Sequence, residues 1–258
     1  MLILLPPSEG KAAPARRGTP VGLDRLSHPE LTDLRLELRD ALVKVSGHAD
    51  GLRVLGVGPG QADEVERNTR LAELPAAPAA KVYTGVLYDA LDYAGLSPAA
   101  RRRANRAVRV QSALWGPVGL TDRIAPYRLS MGVTLPGIGP LARAWRSRLG
   151  PVLGELAGPG VVVDCRSSTY VSAWLPERPA IDRYVAVRVF AEVDGRRVAI
   201  SHMAKHTRGL VARLLLESGA RPRKPSDVAD LVAAEYRCEL VDQGRRGFAL
   251  DVITGAAA

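Results

Sequence analysis

The sequence contains little cysteine, few aromatic residues and no long apolar run. Two cysteines among 258 residues exclude a disulfide-stapled scaffold and a thiolate zinc cluster. No apolar stretch approaches the ~20 residues that a membrane-spanning helix needs. The apolar start MLILL lacks a preceding basic region and a small-residue cleavage site, so we interpret it as a buried strand rather than a signal peptide. We expect a cytoplasmic protein without a membrane partner.

Metal ligands are also scarce. The chain has four histidines, and its two cysteines are far apart along the sequence. Iron sites need histidines and carboxylates at convergent positions, and no such cluster is visible. The sequence therefore predicts no metal site and no cofactor.

What remains is the composition of an ordinary globular protein, with 47% hydrophobic and 24% charged residues. The continuous apolar run over residues 1–5 predicts a central strand. Ser97-Pro98 predicts the capped start of a helix, and a second helix is predicted from a Ser27 cap to about residue 45.

Two hairpins are predicted in the C-terminal half. Alternating segments flank Asp194-Gly195, and a later pair of alternating segments flanks residues 243–247. Strands and helices are mixed along the chain, and no linker marks a domain boundary. These features predict an α+β fold, a single compact domain over residues 1–258 with a mixed or antiparallel sheet.

Charge is distributed unevenly. The chain has 31 arginines, five lysines and a net charge of +9, and residues 101–148 contain ten arginines and one acid, Asp122. A local basic block is typical of proteins that bind polyanions. The alternative is that these arginines form a solvated helix face and are numerous because GC-rich coding favours arginine over lysine.

A glycine turn lies inside the basic block. Residues 135–142 are Leu-Pro-Gly-Ile-Gly-Pro-Leu-Ala, in which Gly137 and Gly139 permit a tight turn before a helix. The turn is similar to the hairpin of a DNA-binding helix-hairpin-helix element, with Arg143 and Arg146 placed to bracket a nucleic-acid backbone. The alternative is a plain strand-to-helix connection, since residues 132–134 favour strand or loop over a preceding helix.

Two further segments favour an anion site. Ser8, Glu9 and Lys11 follow the first strand, and the carboxyl end of a central strand is a common ligand position. Lys205 and Arg208 lie three residues apart in the first turn of a predicted helix, where they oppose the helix dipole but suit an anion. The alternative for the first segment is a rigid exit loop with a solvated Lys–Glu pair.

The segment 115–132 is predicted to be a structured loop. We expect Asp122 to orient an arginine through a bidentate pair, and Tyr127 with Arg128 to stack on and clamp a base or phosphate. The alternative is a loop pinned to the core by its aromatic residues. Cys165 ends a predicted strand beside Arg166, but a buried thiol is more common there than a reactive one.

Together these segments resemble the YaaA family of peroxide-stress proteins. The resemblance rests on MLILLPPSEGK, Val-Tyr-Thr-Gly at 82–85, Pro-Tyr-Arg-Leu-x-Met-Gly at 126–132 and Ala-Lys-x-x-Arg-Gly at 204–209, and covers nearly the whole chain. It implies a cytoplasmic bacterial protein of mixed α/β fold with a positively charged cleft. It also implies DNA binding, including a helix-hairpin-helix element, and a role in limiting free iron and oxidative damage. The start departs from the pattern Ser-Pro-Ala-Lys-Thr, which indicates another branch.

Two functions follow as hypotheses. The first is a DNA-binding stress protein, and the alternative is an enzyme acting on a nucleotide or nucleobase-like anion, for which the sequence names no reaction. The catalytic candidates are Glu9, for proton transfer, and Lys205. The candidate binding residues are Ser8, Lys11, Arg123, Tyr127, Arg128, Gly137, Gly139, Arg143, Arg146, Tyr170, Lys205 and Arg208.

Overall fold

The computed structural model describes residues 1–193, 196–199 and 202–254. Its α-helices are α1 (Thr32–Ser46), α2 (Gly51–Leu55), α3 (Ala62–Asn68), α4 (Ala79–Val82), α5 (Val86–Leu91), α6 (Pro98–Ala107), α7 (Leu141–Ala157), α8 (Ser168–Val171), α9 (His202–Glu217) and α10 (Pro225–Ala233). Its strands are β1 (Leu2–Leu5), β2 (Ala77–Pro78), β3 (Val108–Ser112), β4 (Gly116–Val118), β5 (Arg123–Ile124), β6 (Thr134–Leu135), β7 (Gly139–Pro140), β8 (Val162–Asp164), β9 (Tyr184–Val193), β10 (Arg196–Ala199), β11 (Cys238–Asp242) and β12 (Phe248–Thr254).

One mixed sheet organises the molecule, in the order β11-β12-β9-β8-β1-β3-β4, with β10 paired to the far end of β9. The four inner pairings, from β12 to β3, are parallel, whereas β4, β10 and β11 pair antiparallel. Every residue of β1 is at most 2% exposed, which requires cover on both faces of the sheet. The predicted single α+β domain with a mixed sheet is confirmed. No helix in the described part of the chain has the length and apolar character needed to cross a membrane.

Local signals located several elements correctly. The Ser97 hydroxyl accepts a hydrogen bond from the backbone N–H of Ala100 at 3.2 Å and so caps α6. Strands β9 and β10 pair antiparallel, as do β11 and β12, so both predicted hairpins are confirmed. The turn residues predicted for the first hairpin, Asp194-Gly195, lie outside the described residues.

The predicted start of the first helix is wrong. α1 begins at Thr32, after a 3-10 turn over Pro29–Leu31, and Ser27 does not cap it. The Ser27 backbone N–H and hydroxyl donate instead to the Asp122 carboxylate, at 3.1 and 3.0 Å. Asp122 also accepts from the Gly119 N–H at 2.9 Å, so it binds a serine and a backbone amide rather than the arginine we expected.

The helix-hairpin-helix element is not formed. Strands β6 and β7 pair around a turn in which Gly137 and Gly139 have φ values of +81° and +90°, and α7 follows directly. However, residues 113–133 contain only short strands, turns and loop, with no helix before the hairpin. The plain strand-to-helix connection is therefore the correct interpretation of this turn.

Candidate functional site

The loop after β1 is fixed against the start of α5. Its residue Lys11 forms a β-bridge with Tyr83, and the Ala12 N–H donates to the Val82 carbonyl at 2.9 Å. The Ser8 hydroxyl accepts from the Thr84 N–H at 3.1 Å. These contacts use the Val-Tyr-Thr-Gly segment to hold the loop at the carboxyl end of a parallel strand, where α/β sheets place ligands.

Lys11 lies at the centre of this region. Its Nζ donates to the backbone carbonyls of Ser8, at 2.8 Å, and Glu9, at 3.2 Å. It also lies 4.3 Å from the centre of the Tyr127 ring and 5.9 Å from that of Tyr83. Burial, followed by the positive charge of the nearby Arg128, lowers the pKa of Lys11 to about 7 against the opposing effect of Glu64 and Glu9.

Buried phenols form the wall beside Lys11. The Tyr127 hydroxyl lies 2.7 Å from the Ser112 hydroxyl and 3.4 Å from that of Tyr83, and the Tyr88 hydroxyl donates to the Pro6 carbonyl at 2.7 Å. Burial raises the pKa of Tyr83, Tyr88 and Tyr127 well above the usual value of a phenol. These groups therefore remain protonated at neutral pH and act as hydrogen-bond donors.

Charged side chains border the same region. Lys205, on α9, has its Nζ 3.8 Å from a carboxylate oxygen of Glu9, and an Arg128 nitrogen lies 3.3 Å from a carboxylate oxygen of Glu64. Tyr170, on α8, is buried within electrostatic reach of Tyr127 and Glu9. We call this group the lysine site; it consists of Ser8, Glu9, Lys11, Tyr83, Tyr127, Arg128, Tyr170 and Lys205.

A second feature is a cleft of about 1190 Å³ between α7, the segment 168–180 and the β9–β12 part of the sheet. Among the described residues, the acidic side chains that line it are Asp164 and Glu177. We call it the arginine cleft because seven arginines line it: Arg146, Arg166, Arg178, Arg183, Arg188, Arg208 and Arg246.

Three of these arginines are paired with carboxylates. Arg166 lies 2.6 Å from Asp164, Arg188 lies 2.6 Å from Asp251, and Arg178 lies 3.8 Å from Asp182. Within the described residues, the other four have no carboxylate within 4.0 Å: Arg146, Arg183, Arg208 and Arg246.

Backbone carbonyls orient three of these four side chains. Arg146 donates to the Ser172 carbonyl at 2.6 Å, Arg183 to that of Gly158 at 2.9 Å, and Arg208 to that of Val187 at 3.0 Å. A carbonyl fixes the direction of a guanidinium without neutralising it, so the cleft keeps its positive charge on its walls.

The structure divides the sequence-predicted site residues instead of gathering them all. Seven lie in the lysine site: Ser8, Glu9, Lys11, Tyr127, Arg128, Tyr170 and Lys205. Arg146 and Arg208 line the arginine cleft, and Arg143 is exposed one turn before Arg146, next to the hairpin of Gly137 and Gly139. Arg123 belongs to neither group, because it lies on β5 and donates to the Ala76 carbonyl.

Sequence reasoning gave no role to several residues that form or support these sites. Tyr83 was quoted as part of a family motif without a role, and Ser112 and Glu64 carried no local signal. The cleft arginines Arg183 and Arg246 lie outside the basic block on which the charge argument rested. Arg183 precedes β9 and Arg246 precedes β12, and these two strands pair in parallel. The spacing of residues along the chain does not indicate that these strands become neighbours.

Cys165 is a core residue. It is 0% exposed, its thiol contacts the Arg208 carbonyl at 3.9 Å, and burial raises its pKa to about 12. We predict that iodoacetamide at about pH 8 leaves Cys165 unmodified in the folded protein, because the thiolate is the nucleophile. Peptide mass mapping checks this, with the half-buried Cys238 as the internal comparison and urea-unfolded protein as the positive control. Native-state modification of Cys165 as fast as that of Cys238 would contradict the assignment.

Fold and site together define a class: a one-domain α+β protein with a lysine–tyrosine site at the end of its central strand and an arginine-lined cleft beside it. The family model described as Peroxide stress protein YaaA matches residues 1–240. The chain belongs to this YaaA family, and its role is in the response to peroxide.

Relatives match over almost the whole length. A UPF0246 protein of Streptomyces coelicolor is 45% identical over 258 residues, which are 98% of this chain and 98% of that protein. UPF0246 proteins of Corynebacterium efficiens and Corynebacterium glutamicum strain R are 38% and 36% identical, over 95% and 91% of this chain and 97% and 92% of their own lengths. The resemblance predicted from the motifs is confirmed.

Proposed function

We propose that this protein acts in the peroxide response by binding DNA in the arginine cleft. The observation that carries the proposal is the set of four cleft arginines without a carboxylate partner among the described residues. A guanidinium is always charged and presents a planar fork that matches phosphate oxygens. Arginines held by carbonyls alone are ready for such a partner, because no carboxylate must first be displaced.

The shape of the cleft supports a long ligand. Its volume of about 1190 Å³ exceeds the ~300–1,000 Å³ usual for small-molecule sites. Arg146 on α7 and Gly158, the residue that follows the end of α7, both line it, so this wall extends roughly 17 Å at about 1.5 Å per helical residue. Between them Gly150 and Gly154 face free space, which lets a ligand backbone approach the helix closely.

The N-terminal end of α7 extends this path. Arg143 is exposed there, and the preceding turn with Gly137 and Gly139 has open space where side chains would stand. Phosphate contacts by arginine carry no sequence information, so we expect binding with little sequence preference. Elemental analysis after anaerobic iron loading tests whether any effect on free iron is direct, and protein without bound iron would make that effect indirect.

The test is a pair of charge reversals on different segments of the cleft wall. The double variant Arg146→Glu/Arg246→Glu is expected to bind a labelled DNA duplex at least about tenfold more weakly at about 0.1 M salt. The slope of log affinity against log salt is expected to become shallower by about two, because two phosphate contacts are lost. Fluorescence anisotropy over a salt series measures both quantities.

The matched control is Arg102→Glu/Arg221→Glu, which makes the same change in net charge at two exposed positions outside the cleft lining. If the control weakens binding as much as the cleft pair, the protein attracts DNA only through its overall charge, and the cleft proposal fails. The variant Arg143→Glu/Arg146→Glu then asks whether the hairpin end of α7 is part of the path. Equal affinity of that variant and the unaltered protein would exclude this end of the helix.

The lysine site favours a second candidate function, an enzyme acting on a small anionic molecule of nucleotide-like type. The specific observation is a lysine with a pKa of about 7, bordered by Lys205 and Arg128 at the end of β1. A group that titrates near the working pH suits proton transfer. Tyr127 cannot stack on a base as we expected, because it is 3% exposed and Lys11 covers its ring.

The second candidate is tested by nucleoside monophosphate binding, measured by calorimetry. We expect Lys205→Met to weaken binding and Lys81→Met, at an exposed position outside the lysine site, to leave it unchanged. Equal affinities in the two variants would remove this candidate.

A further inference from the structure

Lys11 differs from the other four lysines of the chain. Lys44, Lys81, Lys205 and Lys224 are exposed, whereas Lys11 is partly buried beside two tyrosine rings. An ordinary lysine with a pKa near 10.4 is almost entirely an ammonium ion at neutral pH and has no lone pair to share. The position of Lys11 weakens that restriction, because burial lowers the pKa of its amine to about 7 and so raises the uncharged fraction at neutral pH.

The amine is also oriented. Its Nζ donates to the Ser8 carbonyl at 2.8 Å and to the Glu9 carbonyl at 3.2 Å. A neutral amine has two hydrogens and one lone pair, so two donated hydrogen bonds leave the lone pair for an electrophile. The carbonyls belong to a loop that is itself held by the Thr84 and Val82 backbone, so the nucleophile is in place before a ligand arrives.

The surroundings indicate the class of electrophile. The positively charged side chains of Lys205 and Arg128 border the amine. Each has a carboxylate partner: Glu9 lies 3.8 Å from Lys205, and Glu64 lies 3.3 Å from Arg128. A carboxylate on a ligand can bind to such cations while a neighbouring carbonyl carbon meets the amine.

We propose that Lys11 is a nucleophilic amine that forms an imine with a small aldehyde or 2-oxo acid carrying an anionic group. The Nζ lone pair forms a bond to the carbonyl carbon, and the carbonyl oxygen takes up the proton that the nitrogen loses. The resulting carbinolamine then loses water, and the C=N bond replaces the C=O bond. This inference goes beyond the second candidate function, because it uses the same lysine site but assigns it a carbonyl substrate in place of a nucleotide.

The test uses the full-length protein with glyoxylate as probe and cyanoborohydride as hydride donor, which reduces the imine to a stable secondary amine. Peptide mass spectrometry reports modification at each of the five lysines separately. At about pH 7 we expect Lys11 to react at least about tenfold faster than Lys44, Lys81 or Lys224, with a rate that rises through a midpoint near pH 7. Modification of all five at similar rates, or none at Lys11, overturns the proposal.

The anionic group is tested with a neutral probe of similar size, acetaldehyde. Selective reaction of Lys11 with glyoxylate and not with acetaldehyde supports the role of the bordering cations, and Arg128→Ala is expected to remove that selectivity. Equal rates for both probes overturn the assignment of an anionic substrate. If glyoxylate modifies Lys11 but the protein binds no nucleoside monophosphate, the imine proposal stands and the nucleotide is rejected as the ligand. If the protein binds the nucleotide but no adduct forms at Lys11, the nucleotide stands and the imine proposal is rejected.

Discussion

Replacing Asp164 with asparagine is expected to lower the free energy of unfolding by about 3–5 kcal/mol. Asp164 and Arg166 are both fully buried, with side-chain exposures of 1% and 0%, and their charged atoms lie 2.6 Å apart. The Tyr184 hydroxyl donates to the same carboxylate at 2.7 Å. Asparagine keeps the size of the side chain but removes its charge, so the guanidinium of Arg166 is left buried without compensation.

Urea unfolding followed by circular dichroism measures this loss. The control is Asp182→Asn, because Asp182 and Arg178 form an exposed pair at 3.8 Å whose contribution is expected to be about 0–1 kcal/mol. Similar shifts of the two midpoints would show that the buried pair does not stabilise the fold. The result also bears on the cleft, since Arg166 donates to the carbonyls of Tyr170, at 3.3 Å, and Trp174, at 2.8 Å, and so holds part of its lining.

The second large effect is expected for Gly209→Ala, which should destabilise the protein by about 1–3 kcal/mol. A Cβ atom at Gly209 would overlap the Leu87 carbonyl oxygen and approach the Ala90 Cβ to 2.8 Å. The carbonyl is part of the α5 backbone and cannot rotate away, so α9 must move as a whole. Lys205 and Arg208 lie one turn or less before Gly209 on α9, so both candidate sites are displaced with it.

Gly154→Ala on α7 is the matched control. A Cβ at Gly154 meets nothing within 4 Å, so the helix propensity of alanine is expected to raise stability by about 0.5–1 kcal/mol. Chemical denaturation of the two variants should therefore give midpoints that shift in opposite directions. A Gly209→Ala midpoint at or above that of the unaltered protein would exclude the close approach of α5 and α9.

In the Ala-Lys-x-x-Arg-Gly motif, the glycine has a packing role, because Gly209 is a point at which α9 contacts α5. The glycine permits two helices to touch, and the two cations before it are thereby fixed at the edge of the sheet. A packing residue and two candidate ligand residues thus share one short motif.

The sequence by itself determined the elements whose signals are local. Ser97-Pro98 located the start of α6, alternation around short polar turns located both C-terminal hairpins, and an uninterrupted apolar run located the central strand β1. Each of these signals involves only a few neighbouring residues: a helix cap, a tight turn, or the alternation of apolar and polar residues along a strand. Such a signal can therefore be recognised without knowledge of the rest of the fold.

Only the tertiary structure decided how distant residues combine. Asp122 bonds Ser27 from 95 positions away, Tyr127 meets Lys11, and the cations of the sequence divide between two sites. The same holds for the pKa of Lys11, which depends on burial and on charges brought from two other segments, those of Glu64 and Arg128. Such contacts follow from which strands become neighbours in the sheet, and the packing of whole elements sets that order rather than the spacing of residues along any one of them.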